Sequence, residues 1–324
     1  MNFAELILSF NLMLGDYVEK GGRADLFHVK QAMNEYICSD CPRMCFARRG
    51  ETGNGFCKMG AEPVIARAAL HFDEEPVISG NRGAGTVFFS GCSLRCVFCQ
   101  NFEISHGGFG KRVSVERLRK IYFELIAQGA QNIDLVNPTH FTRAILESLE
   151  GGLPVPVVWN SGGYDRVETI RALDGKVQVY LPDLKYISPR SAGRYSRAED
   201  YFPVAAKAIR EMLKQVGPVV LDENGAIQSG VIVRHLILPG CADESIRILD
   251  WIAENLPGAW VSLMAQYLPF GEVEGVDQLN RRLTQEEYDQ VCDHLMDLGL
   301  EDGFVQELSS SDEKYIPKFD LSGV

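Results

Sequence analysis

The stretch GTVFFSGCSLRCVFCQN, Gly85–Asn101, decides how the rest of the chain is read. Its first half, Thr86–Phe89, is a short β-branched and aromatic run that suits a buried strand. Directly after it come Cys92, Cys96 and Cys99 in C-x3-C-x2-C spacing, three thiols from one loop. Iron–sulfur clusters of the four-iron type normally take four cysteines. A local set of three leaves one iron open to another ligand. Three buried or zinc-binding thiols are the plainer reading, but a triplet at the end of a strand argues for the cluster.

From Thr86 onward, short apolar runs alternate with amphipathic stretches. The runs are Thr86–Ser90, Asn132–Val136, Val155–Trp159, Val177–Leu181, Val231–Ile237 and Trp260–Met264. Helices are expected near Ser114–Gln128, Phe141–Leu149, Arg166–Leu173, Tyr201–Gln215 and Asp243–Asn255. Continuous apolar strands separated by helices predict an α/β fold with a parallel sheet. Six such units suit a partial (β/α)6 barrel, and a doubly wound open sheet has the same local pattern. Asn224–Gly225 reads as a two-residue hairpin turn. Thr284 and Glu287 read as a capping box opening a last helix, Thr284–Leu298. The end, SSSDEKYIPKFDLSGV, is polar and expected to be loose. Three parts follow: an extension over 1–80, the barrel over 81–270, and a helix and tail over 271–324.

The 324 residues are 46% hydrophobic and 23% charged, ordinary for a globular chain. A net charge of -12 offers no general attraction for nucleic acid. No apolar run approaches the ~20 residues needed to cross a bilayer. The N-terminus has Phe3, Leu6, Ile7, Phe10 and Leu14 at helical spacing and no basic start, so it reads as an amphipathic helix and not an export signal. A reducing cytoplasm is therefore expected, with the cysteines as metal ligands and not disulfides.

Cys38, Cys41, Cys45 and Cys57 form a second group, CSDCPRMC followed by GNGFC. Their spacing fits neither the common zinc-finger form nor the ferredoxin run. Structural zinc, a second cluster, and free or redox-active thiols remain open. Cys241 and Cys292 read as packing residues.

The triplet, the aromatic Phe98 before its last cysteine, and the preceding strand resemble the radical S-adenosylmethionine (SAM) superfamily. The longer context, CPRMCFARRGETGNGFC, ARAALHFDEEPVISG and then GTVFFSGCSLRCVFCQN, is similar to uncharacterised proteins classed with pyruvate formate-lyase activating enzymes. The likeness runs from about Cys38 to about Pro269, with a weaker continuation to Gln306. It implies a partial barrel, a [4Fe-4S] cluster on Cys92, Cys96 and Cys99, and SAM on the open iron. It also implies reductive cleavage of SAM to a 5′-deoxyadenosyl radical that abstracts hydrogen, and an electron donor such as flavodoxin or ferredoxin. The hydrogen donor it implies is a glycine of a partner glycyl-radical enzyme, with a small molecule or peptide as the alternative. A non-catalytic, zinc-stapled interaction protein is the alternative from another class.

Active residues in such barrels gather where strands end. After the second strand, Asn137, Thr139 and His140 stand where related enzymes carry a Gly-Gly-Glu type motif, which this chain lacks. After the third, Asn160 and Ser161 offer oxygens beside two glycines, or simply form a turn. After the fourth, Asp183 and Lys185 match the Asp-x-Lys element of glycyl-radical activating enzymes. On the fifth, Arg234 matches an arginine that contacts SAM, and strand alternation sends His235 to the opposite face. After the sixth, Gln266 and Tyr267 are placed near the adenine. The acidic strip with His71, Glu74 and Glu75 belongs to the family pattern and has no independent role in the sequence.

Overall fold

The Thr86–Phe89 run is part of the first parallel strand of a ten-stranded sheet. In this computed structural model residues 35–312 and 317–324 are described, so the expected N-terminal helix lies outside them. In chain order the strands are β1 Tyr36–Ile37, β2 Arg48–Arg49, β3 Val64–His71, β4 Ala84–Phe89, β5 Lys111–Arg112 and β6 Ile133–Val136. They continue with β7 Val157–Ser161, β8 Val179–Pro182, β9 Val220–Leu221, β10 Ile227–Leu236, β11 Trp260–Met264 and β12 Gly303–Val305.

The sheet runs β12-β11-β10-β8-β7-β6-β4-β3-β5, and β9 pairs with β10. From β4 to β12 every neighbouring pair on this path is parallel. Each new parallel strand is added on the same side, with no reversal. A doubly wound sheet reverses at a switch point, so that alternative is excluded. With right-handed crossovers, the uniform order puts the helices on one face and leaves the other concave. The sheet does not close: β5 and β12 end the path.

Strand alternation separates two layers. Val157, Trp159, Tyr180, Val231 and Val233 join the large core with the helices. Their neighbours Val158, Val179, Leu181 and Ile232 form a smaller core on the other face. Each large side chain buried this fully stabilises by roughly 1.5–3 kcal/mol. Two positions further along, the same inner face turns polar, with Asn160, Asp183 and Arg234. That change from apolar to polar along one face creates the cavity.

Several expectations need correction. β12 makes a seventh parallel strand beyond the six expected; its Gly-Phe-Val is too short for a period to show. β3, within the extension expected to stand apart from the barrel, pairs antiparallel with β4. Thus strands before residue 81 and after residue 270 belong to the same sheet as the barrel strands. A helix at Pro189–Ser196 was missed, although Ser188 caps it and Pro189 opens it. The hairpin loop holds three residues, not two, because Asp222 N–H bonds to the Ala226 carbonyl and Gly225 takes φ 80°. The C-terminal tail is not loose at its end: Leu321 N–H bonds to the Ala66 carbonyl and Ser322 accepts from Ala68 N–H. The expected capping box on Gln285–Asp297 is present, with Thr284 accepting from Glu287 N–H.

Candidate functional site

At the end of β4 the chain must turn sharply to present its cysteines. Gly91 makes this turn at φ 78°, where a Cβ would meet Met59 Cγ at 2.4 Å. Only glycine fits there without strain. Phe98, 6% exposed, anchors the loop edge-on against Tyr186 and Tyr195. Cys92, Cys96 and Cys99 then line one cavity of about 300 Å³.

The sulfurs are met by donors. Leu94 and Arg95 N–H groups donate to Cys92 at 3.3 and 3.5 Å. The Ser196 hydroxyl donates to Cys96 at 2.9 Å, and Ser105 to Cys99 at 3.3 Å. Burial, then the neighbouring thiols, push the Cys99 thiol up to about 12, and Cys92 rises for the same reasons. The chain alone therefore holds them as neutral thiols, and a bound metal must displace their protons. Among the described residues no three Cys, His, Asp or Glu side chains converge as tightly as the ligands of one ion. Three free thiols facing one opening, each with a hydrogen-bond donor, fit a [4Fe-4S] cluster by their chemistry.

Opposite them lies a polar network. Arg234 Nε donates to Asp183 at 2.9 Å and Nη2 to Asn160 at 2.5 Å, while Nη1 lies 3.4 Å from Glu74. Lys185 donates to the other Asp183 oxygen. Burial pulls the Asp183 carboxyl up, but Arg234 and Lys185 together hold it below the ordinary carboxylate range. Asn160 reaches both Glu74 and Asp134, at 3.3 and 3.5 Å. Burial pushes Asp134 up to about 7 against the pull of Arg234. Glu74 rises through burial and the charge of Asp134. The network thus carries a fixed anion, two cations and two carboxyls, Glu74 and Asp134, that burial raises above the ordinary carboxylate range.

No family model matches the sequence. The uncharacterized protein MJ0674 of Methanocaldococcus jannaschii is 33% identical over 269 residues, covering 79% of this chain and 73% of that protein. The chain belongs to the MJ0674 family. A second uncharacterized protein of that organism, MJ0808, is 29% identical over 101 residues, 26% of this chain and 28% of its own. Among solved structures, SuiB of Streptococcus suis matches at TM-score 0.47 and 12% identity over 69% of this chain and 48% of SuiB. This chain therefore spans about half the length of SuiB, which has also been solved bound to S-adenosylmethionine. Methylornithine synthase (PylB) matches at TM-score 0.44 and 16% identity, over 71% of this chain and 63% of PylB. A domain of a pyruvate-formate lyase-activating enzyme from Bacteroides vulgatus gives TM-score 0.35 and 16% identity, covering 60% of this chain and 91% of the domain. These scores carry no argument about activity.

In this MJ0674-family chain the cavity gathers most residues singled out from sequence: the three cysteines, Phe98, Asn137, Asn160, Ser161, Asp183, Lys185, Arg234 and Gln266. Asn137 sits at φ 60° and its amide donates to the Gly91 and Phe89 carbonyls, bracing the cysteine loop. The Ser161 hydroxyl is committed to Asp165 at 2.5 Å. Thr139 and His140 are corrections, because neither lines the cavity. The tight turn Thr139–Phe141 buries both: Thr139 donates to Asp165 at 2.7 Å and His140 Nε2 meets the Ser90 carbonyl. Burial, then Arg49, push the His140 imidazole down to about 3, so it is neutral near pH 7. Tyr267 is also turned away, donating to the Leu279 carbonyl at 2.6 Å. His235 is buried between the Leu184 carbonyl and Ser245.

Sequence reasoning missed Asp134 and the placement of Glu74 and Glu75. The latter two line the cavity, and Asp134 lies fully buried in β6 against Asn160. One signal was available: a carboxylate inside the apolar run Asn132–Val136 is costly unless a cation answers it. Among the described residues no helix is long and apolar enough to cross a membrane.

Proposed function

We propose that this chain is a radical SAM enzyme. The observation that carries the reading is the opening of Cys92, Cys96 and Cys99 onto one cavity ringed by Asp183, Lys185, Arg234 and Asn160. When bound, a [4Fe-4S] cluster and SAM supply a one-electron reductive cleavage whose carbon-centred product takes a hydrogen atom from the substrate. The three thiols lose their protons to hold iron, while the Leu94 and Arg95 N–H groups and the Ser105 and Ser196 hydroxyls orient the sulfurs. Asp183, kept ionised by Lys185 and Arg234, suits an ammonium group, and Arg234 suits a carboxylate or ribose oxygen. Phe98 and the inner apolar residues keep water from the reacting centre.

The electron comes from a carrier of the flavodoxin or ferredoxin class. The hydrogen donor we favour is a glycine of a partner glycyl-radical enzyme, on the match of Asp183 and Lys185 to the activating-enzyme element. Direct action on a small molecule or peptide is the second reading. It is favoured by Gln306 and Pro317, through which the C-terminal segment lines the cavity.

Anaerobic protein with reductant and SAM is expected to form methionine, and the Cys92→Ala/Cys96→Ala/Cys99→Ala variant to form none. Equal turnover by that variant overturns the reading. Adding a glycyl-radical enzyme from the same cell separates the two substrates: a glycyl doublet in the electron paramagnetic resonance spectrum supports the first, and stimulation by a metabolite extract alone the second.

A further inference from the structure

We infer that Cys38, Cys41, Cys45 and Cys57 bind a second metal centre through their thiolates, with Arg49 as its buried countercharge. The inference does not rest on the activity proposed above.

Local structure assembles the group. β1 and β2 pair, with Tyr36 opposite Arg49 and Ile37 opposite Arg48, and Cys38 N–H bonds to the Ala47 carbonyl at 2.9 Å. Met44 N–H returns to the Cys41 carbonyl at 3.1 Å, closing a tight turn between Cys41 and Cys45. A Cβ on Gly55 would stand 3.0 Å from the Cys45 sulfur, so that sulfur packs against the turn leading to Cys57. All four remain free thiols despite this gathering.

Two independent observations point to a ligand. The first is the lack of a core. Between residues 35 and 62 the buried apolar side chains are Cys38, Cys41, Cys57 and Ala47. A segment of this kind has too little apolar surface to order itself and ordinarily needs a staple.

The second is Arg49, which is 1% exposed. Its Nη1 lies 3.8 Å from the Cys38 sulfur and also donates to the His140 carbonyl, while Nε donates to the Met59 carbonyl at 3.2 Å. Its other nitrogen, Nη2, is buried without a partner among the described residues. The nearest carboxylate, Asp40, stands 3.7 Å away and is also held by Arg143 at 3.0 Å. A buried guanidinium with one shared carboxylate and an unpartnered nitrogen calls for further negative charge. Thiolates around a metal carry net negative charge and answer the buried cation beside Cys38.

The site adjoins the Cys92 loop. Arg43, between Cys41 and Cys45, donates to the Ser93 and Ser196 carbonyls, each at 2.7 Å. The Cys57 carbonyl lies 2.9 Å from where a Cβ on Gly91 would stand. A metal centre here would hold the turns that brace the Cys92 loop. No three of these thiols now converge as one ion requires, so binding would draw the sulfurs together.

The test uses the full chain with Cys92, Cys96 and Cys99 replaced by Ala, so that any remaining metal belongs to the second site. One centre is expected: iron with matching sulfide, or one zinc, the two analyses telling them apart. Further Cys41→Ala and Cys45→Ala substitutions should remove it. A metal-free triple variant, or metal retained after the added substitutions, overturns the proposal.

A check on native protein avoids the question of folding. Cys45 is exposed and reacts at once with a thiol reagent if it is free. Bound to metal, it should be labelled only after a strong chelator is added. Arg49→Gln should speed metal loss to the chelator at least tenfold. Immediate labelling of Cys45 in protein prepared without chelator overturns metal binding, and unchanged release from Arg49→Gln overturns the countercharge role.

Discussion

Arg234 in β10 and Asp183, the residue after β8, are joined by a 2.9 Å hydrogen bond, and the Leu184 N–H returns to the Arg234 carbonyl at 2.8 Å. Backbone and side chain therefore bind these strand ends together at the cavity wall. Their side chains are 14% and 18% exposed, so solvent screens the pair little.

Replacing Arg234 with Met leaves Asp183 to Lys185 alone and removes the guanidinium facing Glu74. Removing one partner of a buried pair costs about 3–5 kcal/mol, and urea unfolding should show that loss. Asp183→Asn keeps the shape and loses one charge-assisted contact, worth ~1.5–3 kcal/mol. SAM affinity should then fall roughly tenfold to a hundredfold in calorimetry, with iron content unchanged.

Asp134 gives a pH dependence of stability. Its carboxyl titrates near 3.8 when unfolded and is raised to about 7 in the fold. Between those values the folded chain holds a proton that the unfolded chain has released, so stability falls as pH rises from about 4 to about 7. Asp134→Asn should flatten this slope. Melting temperatures at pH 5 and pH 8 should converge in the variant relative to the parent.

Gly91→Ala tests the turn that presents the cysteines. A Cβ there meets Met59 at 2.4 Å on a backbone at φ 78°. Strain of this kind costs of order 1–3 kcal/mol. Reconstituted iron should drop, and circular dichroism should show the sheet retained.

Thr284→Ala removes the cap of the helix Gln285–Asp297 and should cost about 1 kcal/mol. Arg281 hydrogen bonding holds Glu287 down to about 2 from 4.5. Its contribution is full above pH 4.5 and lost as pH falls toward 2. Acid titration of Glu287→Gln should show less destabilisation over that window.

The chain's local chemistry alone determined the parallel α/β class, the cysteine loop and the strand ends as the place for function. Those features depend on short-range facts: apolar runs, a period of two, and thiols a few residues apart. The seventh strand was not legible, because Gly303–Val305 is defined by its pairing with β11 and not by its composition. Neither was the uniform strand order that excludes a doubly wound sheet, since order across a sheet leaves no local trace. Thr139 and His140 looked like site residues because they follow a strand, yet one tight turn buried them. Glu74 and Asp134 are 60 positions apart, and only folding made them share Asn160 and the charge of Arg234. Which side chains face a cavity, and which protons they hold, depends on contacts between distant strands and on burial, and those are properties of the tertiary structure.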